Sequence, residues 1–208
     1  MGKAGPAGTR FIFLLVIVIL AFSIYSRAFD NGFRQDDFAF LRHVENTSVL
    51  DSFKPSTDFA FYRPGSLLLF RAEHMLFGEN SGSYIAFNFI LHLIVSVLVL
   101  VVMRRLGLFP GAEIMAAGLF LLGFGHYGKV VMWACCSGQL VSVLLSLAGI
   151  LISLRWAGRV EDVDGKAGRN RDRYLFVAAM LLMTSAILFH ESAIVTPVVA
   201  AVAVMAVR

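Results

Sequence analysis

Ser83-Tyr-Ile-Ala-Phe-Asn-Phe-Ile-Leu-His-Leu-Ile-Val-Ser-Val-Leu-Val-Leu-Val-Val-Met103 decides the fold. The run holds no Asp, Glu, Lys or Arg, and Arg104-Arg105 closes it. A helix needs about 20 consecutive apolar residues to cross the hydrocarbon core of a bilayer, and this run supplies them. Five further apolar runs flank it: Phe11–Ser26, Gly111–Tyr127, Leu140–Leu154, Tyr174–Phe189 and Ala193–Val207. The 208-residue chain is 58% hydrophobic and 15% charged, whereas soluble domains are about 45–50% apolar and about 25% charged. The expected fold is all-α, a polytopic membrane helix bundle of about six spans. Ser26-Arg27-Ala28 is a poor cleavage site, so the first run reads as a retained helix rather than a signal peptide.

Charge sets the orientation. The net charge of +4 does not point to nucleic acid, because the basic residues cluster in two short loops between apolar runs. Short loops rich in Lys and Arg stay cytoplasmic. Six spans put the amino terminus with Lys3 and Arg10, the Arg104-Arg105 turn, the 155–173 loop and Arg208 on that side. The 155–173 stretch reads as a mobile cytoplasmic linker loop. Residues 27–82, 126–139 and 190–192 then share the opposite, periplasmic or luminal, face. Cys135 and Cys136 are the only cysteines, and they give neither a disulfide framework nor a metal-ligand spacing.

The 27–82 interval is the first outer loop of a single 1–208 domain. Asp37 to Val44 predicts a short helix with Phe38, Leu41 and Val44 on one side. Pro64 to Phe77 predicts a second, with proline at its start and Gly78 as its stop. Both are expected to lie on the membrane interface with their aromatic faces toward lipid.

The same interval carries the first candidates for chemistry. Asp36 and Asp37 point in different directions, so one can face a reaction centre while the other holds a neighbour. A partly desolvated carboxylate can take a proton from a hydroxyl or amine. Aspartates also favour helix starts for purely structural reasons, and the two roles are compatible. Arg63, ahead of Pro64, stands beside a helix amino terminus, a setting suited to phosphate. On the other outer segments, His126 and Lys129 can bind phosphate, and Trp133, Ser137 and Gln139 can line a sugar or lipid pocket. The His190-Glu191 pair can supply or position a second acidic group. Asn88 and His92 fall within a span, where polar groups face the protein interior. A divalent metal is compatible with Asp36, Asp37, Glu191 and the histidines, but no recognised ligand spacing supports one.

The ordered set is a first membrane helix, Asp36-Asp37, Tyr62-Arg63-Pro64, Phe77-Gly78, Asn88 with Leu91-His92, His126 with Val131-Met132-Trp133 and Gly138-Gln139, and His190-Glu191 with Pro197. It resembles the amino-terminal half of GT-C superfamily glycosyltransferases, above all the protein O-mannosyltransferase-like group, including the transmembrane part of its tetratricopeptide-carrying members. The resemblance covers roughly residues 10–200. It implies a polyprenyl-phosphate-linked sugar as donor and transfer on the outer or luminal face. Asp37 or Asp36 would then be the base toward an acceptor hydroxyl, and Arg63, His126 and Lys129 would hold the lipid phosphate. The family often shows Lys-Glu where this chain has His190-Glu191. Its members also have more spans and a carboxy-terminal soluble part, so the resemblance implies one part of such a fold, or a fold completed by a second chain. The other functions compatible with the sequence are a non-catalytic membrane subunit that binds polyprenyl-linked lipid and, with few mid-depth polar residues in its favour, a transporter. Short loops and Ala-, Val- and Gly-rich spans suggest a bacterial inner membrane. Asn46-Thr47-Ser48 matches a glycosylation acceptor and keeps the endoplasmic reticulum as the alternative.

Overall fold

The computed structural model describes residues 6–56, 59–160 and 166–207, with side chains except at positions 6–11, 124, 126, 127, 159, 160 and 166–171. The described chain is helical, without a strand. Its helices are α1 (Pro6–Tyr25), α2 (Asp36–Asn46), α3 (Pro64–Phe77), α4 (Ser81–Leu106), α5 (Ala112–Leu122), α6 (Phe124–Met132), α7 (Ser137–Val160), α8 (Lys166–Phe189) and α9 (Thr196–Ala206). Tight 3₁₀ turns follow α1, α2, α6 and α8.

Four segments are long and apolar enough to cross a membrane: Ile12–Asp30, Ser81–Leu106, Ala134–Gly158 and Asp172–Phe189. They are compatible with an integral membrane protein. The expected third and sixth runs form shorter apolar helices, Ala112–Leu122 and Glu191–Ala206. Gly123, at ψ 58°, leaves the helical region and separates α5 from α6. The 126–139 interval is therefore mostly helical, with Trp133 as an extended joint and a 3₁₀ turn at Ala134–Cys136. The 155–173 stretch also differs from the expected linker. α7 runs on to Val160 and α8 begins at Lys166, while 161–165 lies outside the described residues. Arginine, lysine and alanine are good helix formers, so a helix need not stop where the lipid does.

α4 is the central element. Its Phe89 packs with Ile17, Ala21 and Tyr25 of α1, Leu121 of α5 and Val131 of α6. Its Val102 packs with Ile150 and Leu154 of α7, Met183 of α8 and Ala200 of α9. Its Tyr84 joins Phe40 and Val44 of α2 and Leu67 and Phe70 of α3. Gly107, at φ 62°, accepts the left-handed turn that ends α4, and Arg104 and Arg105 complement its carboxy-terminal dipole.

The third of these clusters corrects the expected direction of the aromatic faces of the two loop helices. Their aromatic faces turn toward each other, not outward. Phe40 and Phe70 are buried, and Phe40 contacts the rings of Phe59, Phe61 and Phe70. The buried face of α2 is Asp37, Phe40, His43 and Val44, while Phe38 is exposed. Aromatic rings gain both buried area and edge-to-face contacts this way, so a loop too short for an ordinary core builds one with Tyr84 and Ala134 as its floor. Arg71 of α3 locks it by donating to the Val44 carbonyl (2.7 Å), Thr47 Oγ1 (2.9 Å) and the Ser48 carbonyl (3.3 Å).

α3 closes onto the start of α7 where Gly138 faces Ser66. A Cβ on Gly138 would lie 2.7 Å from Ser66 Cβ and 3.1 Å from Ser66 Cα. Neither atom is the end of a flexible chain, so the helix itself must move. Gly138→Ala is expected to cost about 2 kcal/mol by overpacking. That corresponds to a drop of roughly 5 °C in Tm, measurable by a thermal melt in detergent. A melt unchanged within a degree would mean that α3 does not pack this tightly.

Candidate functional site

One short stretch, Trp133 to Gly138, which holds the candidates Trp133 and Ser137, draws in Asp37 and Asn88. It interrupts the helical ladder between α6 and α7, so its backbone groups need partners from elsewhere. Asn88 Nδ2 of α4 donates to the Trp133 carbonyl at 2.7 Å. The Cys135 amide donates to Asp37 Oδ1 at 2.8 Å. Asp37 Oδ2 accepts from the Arg34 amide, also at 2.8 Å. Asp37 is 1% exposed, and its two oxygens are committed to two backbone amides, of Arg34 and Cys135, from distant parts of the chain. Its neighbour Asp36 is exposed in the first turn of α2. Gln35, just before it, holds an unusual positive φ of 36°. The pair therefore divides as two carboxylates with opposed directions can: one holds the fold and the other faces outward.

The second grouping lies where α3 meets the end of α8. Arg63 reaches Glu191 with two charge-assisted bonds, from Nε to Oε2 and from Nη2 to Oε1, each 2.6 Å. The Arg63 guanidinium also stacks on Phe61, 4.3 Å from the ring centre. One turn along α3, Ser66 Oγ donates to the Phe189 carbonyl at 2.6 Å. Glu191 thus fills the anion position that helix start and arginine offer. The fork on Arg63, before all else, holds its carboxyl down to about 2. His190 accepts from the Ser192 amide at Nδ1, which leaves Nε2 as the protonated nitrogen. Burial and the nearby Arg63 charge keep His190 below its ordinary value, against the opposing pull of Glu191. It is thus neutral at pH 7 and can meet an anion only as a hydrogen-bond donor.

The remaining candidates are more scattered. Lys129 is exposed on α6, and Trp133 and Gln139 are half-buried on either side of the 133–138 stretch. His126 belongs to α6 by its backbone, and its side chain lies outside the described residues. Asn88 and His92 are fully buried in the bundle, and His92 Nε2 donates to the Leu121 carbonyl at 3.2 Å. No group of three metal-ligating side chains occurs among the described residues.

Glu73 joins the site without having been a candidate. It sits on the buried face of α3, 2% exposed, beside Ser137 at the start of α7. The signal was present in the sequence: Ser66, Phe70, Glu73 and Phe77 share one helical face, and an acid on an apolar stripe is unusual. The chain matches no protein-family model, no curated protein and no solved structure.

The Arg63–Glu191 pair has a measurable pH signature. The folded value of Glu191 lies below the ordinary 4.5, so the pair adds stability above about pH 4.5 and loses it as pH falls through about 2. Glu191 is mostly exposed, and screening limits the contribution to at most about 1 kcal/mol. Thermal melts of Glu191→Gln and Arg63→Ala are expected to lack this part of the acid limb. Identical acid limbs in wild type and both variants would show that the pair does not form in solution.

Proposed function

We propose that the chain is an integral membrane glycosyltransferase of the GT-C type, or the catalytic part of one. It moves a sugar from a polyprenyl-phosphate donor to an acceptor hydroxyl. What supports this most is that two candidate-bearing helices are tied to the same 133–138 stretch: α2, with exposed Asp36 beside the anchoring Asp37, through the Cys135 amide, and α3, which carries Arg63 to Glu191, through the close approach of Ser66 to Gly138. The charge pattern supports six spans, with the short α5–α6 and α9 segments crossing beside the four long ones. That arrangement puts the loop helices α2 and α3 on the periplasmic or luminal face.

The chemistry assigns one task to each group. Asp36 takes the proton as the acceptor oxygen attacks the anomeric carbon. The bond from that carbon to the phosphate oxygen breaks, the configuration inverts, and polyprenyl phosphate leaves with the electron pair. Arg63, with Lys129 and His126, meets the departing charge, and Glu191 yields part of the guanidinium to it. Trp133 and Gln139 flank the sugar. Asp37 keeps Asp36 in place by anchoring α2 to the Cys135 amide. Removal of a general base typically lowers a rate about 10²–10⁴-fold.

A second reading has one observation in its favour. Arg63 is already satisfied by Glu191, which suits a subunit that binds lipid-linked phosphate without turning it over.

The two readings separate in one assay. Wild type, Asp36→Asn and Asp37→Asn are placed in proteoliposomes with a polyprenyl-phosphate sugar and a hydroxyl acceptor. The enzyme reading expects Asp36→Asn to lose transfer at least about 100-fold with an unchanged melt. Asp37→Asn is expected to melt earlier, because a charged acceptor of two buried amides is gone. Normal transfer by Asp36→Asn removes the base from the scheme. Tight binding of the lipid by wild type without any transfer selects the second reading.

A further inference from the structure

Glu73 is a buried acid among the described residues that no basic side chain accompanies. Both of its carboxyl oxygens are buried, and the polar group beside them is the hydroxyl of Ser137, itself buried. Its surroundings are Leu67 and Phe70 on its own helix and the packed start of α7. A bare carboxylate in such a place is far costlier than a neutral acid. On the packed elements around α3, the nearby titratable groups are Asp37, His43 and Glu45 of α2, Tyr84 of α4, and Cys135 and Cys136 before α7. His74 of α3 is bound to Tyr84, Asp51 of the turn after α2 is paired with Lys54, and Arg42 and Lys54 are exposed. From α8 the contact is the Phe189 carbonyl, taken by Ser66. None of these supplies a buried lysine or arginine. Arg71 of the same helix is turned to Val44, Thr47 and Ser48, and Arg63 is held by Glu191.

We propose that Glu73 is a proton-binding site whose neutral form locks α3 against the start of α7 and whose ionisation releases the helix. The two ends of α3 are held differently. Its amino end is fixed by Arg63–Glu191 and Ser66–Phe189. Its carboxy end stops at Gly78, at φ 57°, where the Tyr84 hydroxyl donates to the Gly78 carbonyl at 2.8 Å, so a swing of this end gives up that bond. An ionised Glu73 lowers its free energy by reaching water, and it can do so only if this end of α3 swings away from Ser137. The acid range agrees: burial pushes Glu73 up to about 8, and the Ser137 hydroxyl pulls the other way. An acid that is raised on folding favours the locked state at low pH and opposes it as pH rises through the raised value. The lock therefore holds at neutral pH and opens in mild alkali. This device is independent of sugar transfer, because it rests on packing alone.

The test is hydrogen exchange of the full chain in nanodiscs from about pH 6.5 to 9.5, corrected for intrinsic exchange, followed on the peptide spanning 64–77. In wild type its protection is expected to fall at least about tenfold between neutral and pH 9, as one proton is lost. Glu73→Gln, a neutral isostere, keeps full protection throughout. Ser137→Ala removes a group that favours the charged form, so its midpoint moves to higher pH. Protection that is flat in wild type, or that falls in parallel in wild type and Glu73→Gln, overturns the proposal. If Glu73→Gln fails to insert, the Ser137→Ala midpoint decides, and an unmoved midpoint overturns it.

Discussion

The bond from the Cys135 amide to Asp37 answers a problem set by the chain's own design. Between α6 and α7 the helical ladder breaks at the half-buried Trp133. Backbone groups freed there cannot be left bare in an apolar environment. α4 supplies Asn88 for one carbonyl, and α2 supplies Asp37 for one amide. Without these two side chains the break would be a defect. With them, it becomes the place where the loop helices are tied to the bundle.

Several other features depend on that junction. α3 can approach α7 closely because Gly138, three residues past Cys135, has no side chain to meet Ser66. The approach carries Arg63 to Glu191 and Ser66 to the Phe189 carbonyl. It also buries Glu73 against Ser137. Three segments far apart in the chain thus converge within a few residues of one turn. A reaction site and a proton-sensitive contact can share such a junction, because both need polar groups held in a dry and well-defined setting.

The loop helices also stabilise themselves. α2 and α3 bury their rings against each other and against Tyr84, and Arg71 fastens the end of α2 to the middle of α3. The loop is therefore a small folded layer on the bundle. Its own aromatic core leaves the exposed face, with Asp36, free of packing duties.

Local rules sufficed for much of this architecture. Apolar length foretold helices at Phe11–Ser26, Ser83–Met103, Leu140–Leu154 and Tyr174–Phe189, and the structure has long apolar helices there, because a long uncharged run in an apolar setting satisfies its backbone best as a helix. Pro64 and Gly78 bounded α3 in the sequence as they do in the fold, since both act through the backbone alone. Asp36, Asp37, Arg63 and Glu191 were recognisable from their residue types and their places in the segments between apolar runs. Which of them meet was not recognisable. The partition of Asp36 outward and Asp37 inward depends on an amide 98 positions away, and Arg63 finds Glu191 across 128. The inward turn of Phe40 and Phe70 needed the two helices to face one another, which helical periodicity cannot say. Glu73 read as one acid among many until α7 closed over it. The sequence by itself determined which segments are helical and where charge is concentrated, because those follow from local backbone and solvent chemistry. Only the tertiary structure decided which polar groups are paired, exposed or buried alone, because that depends on contacts between segments distant in the chain.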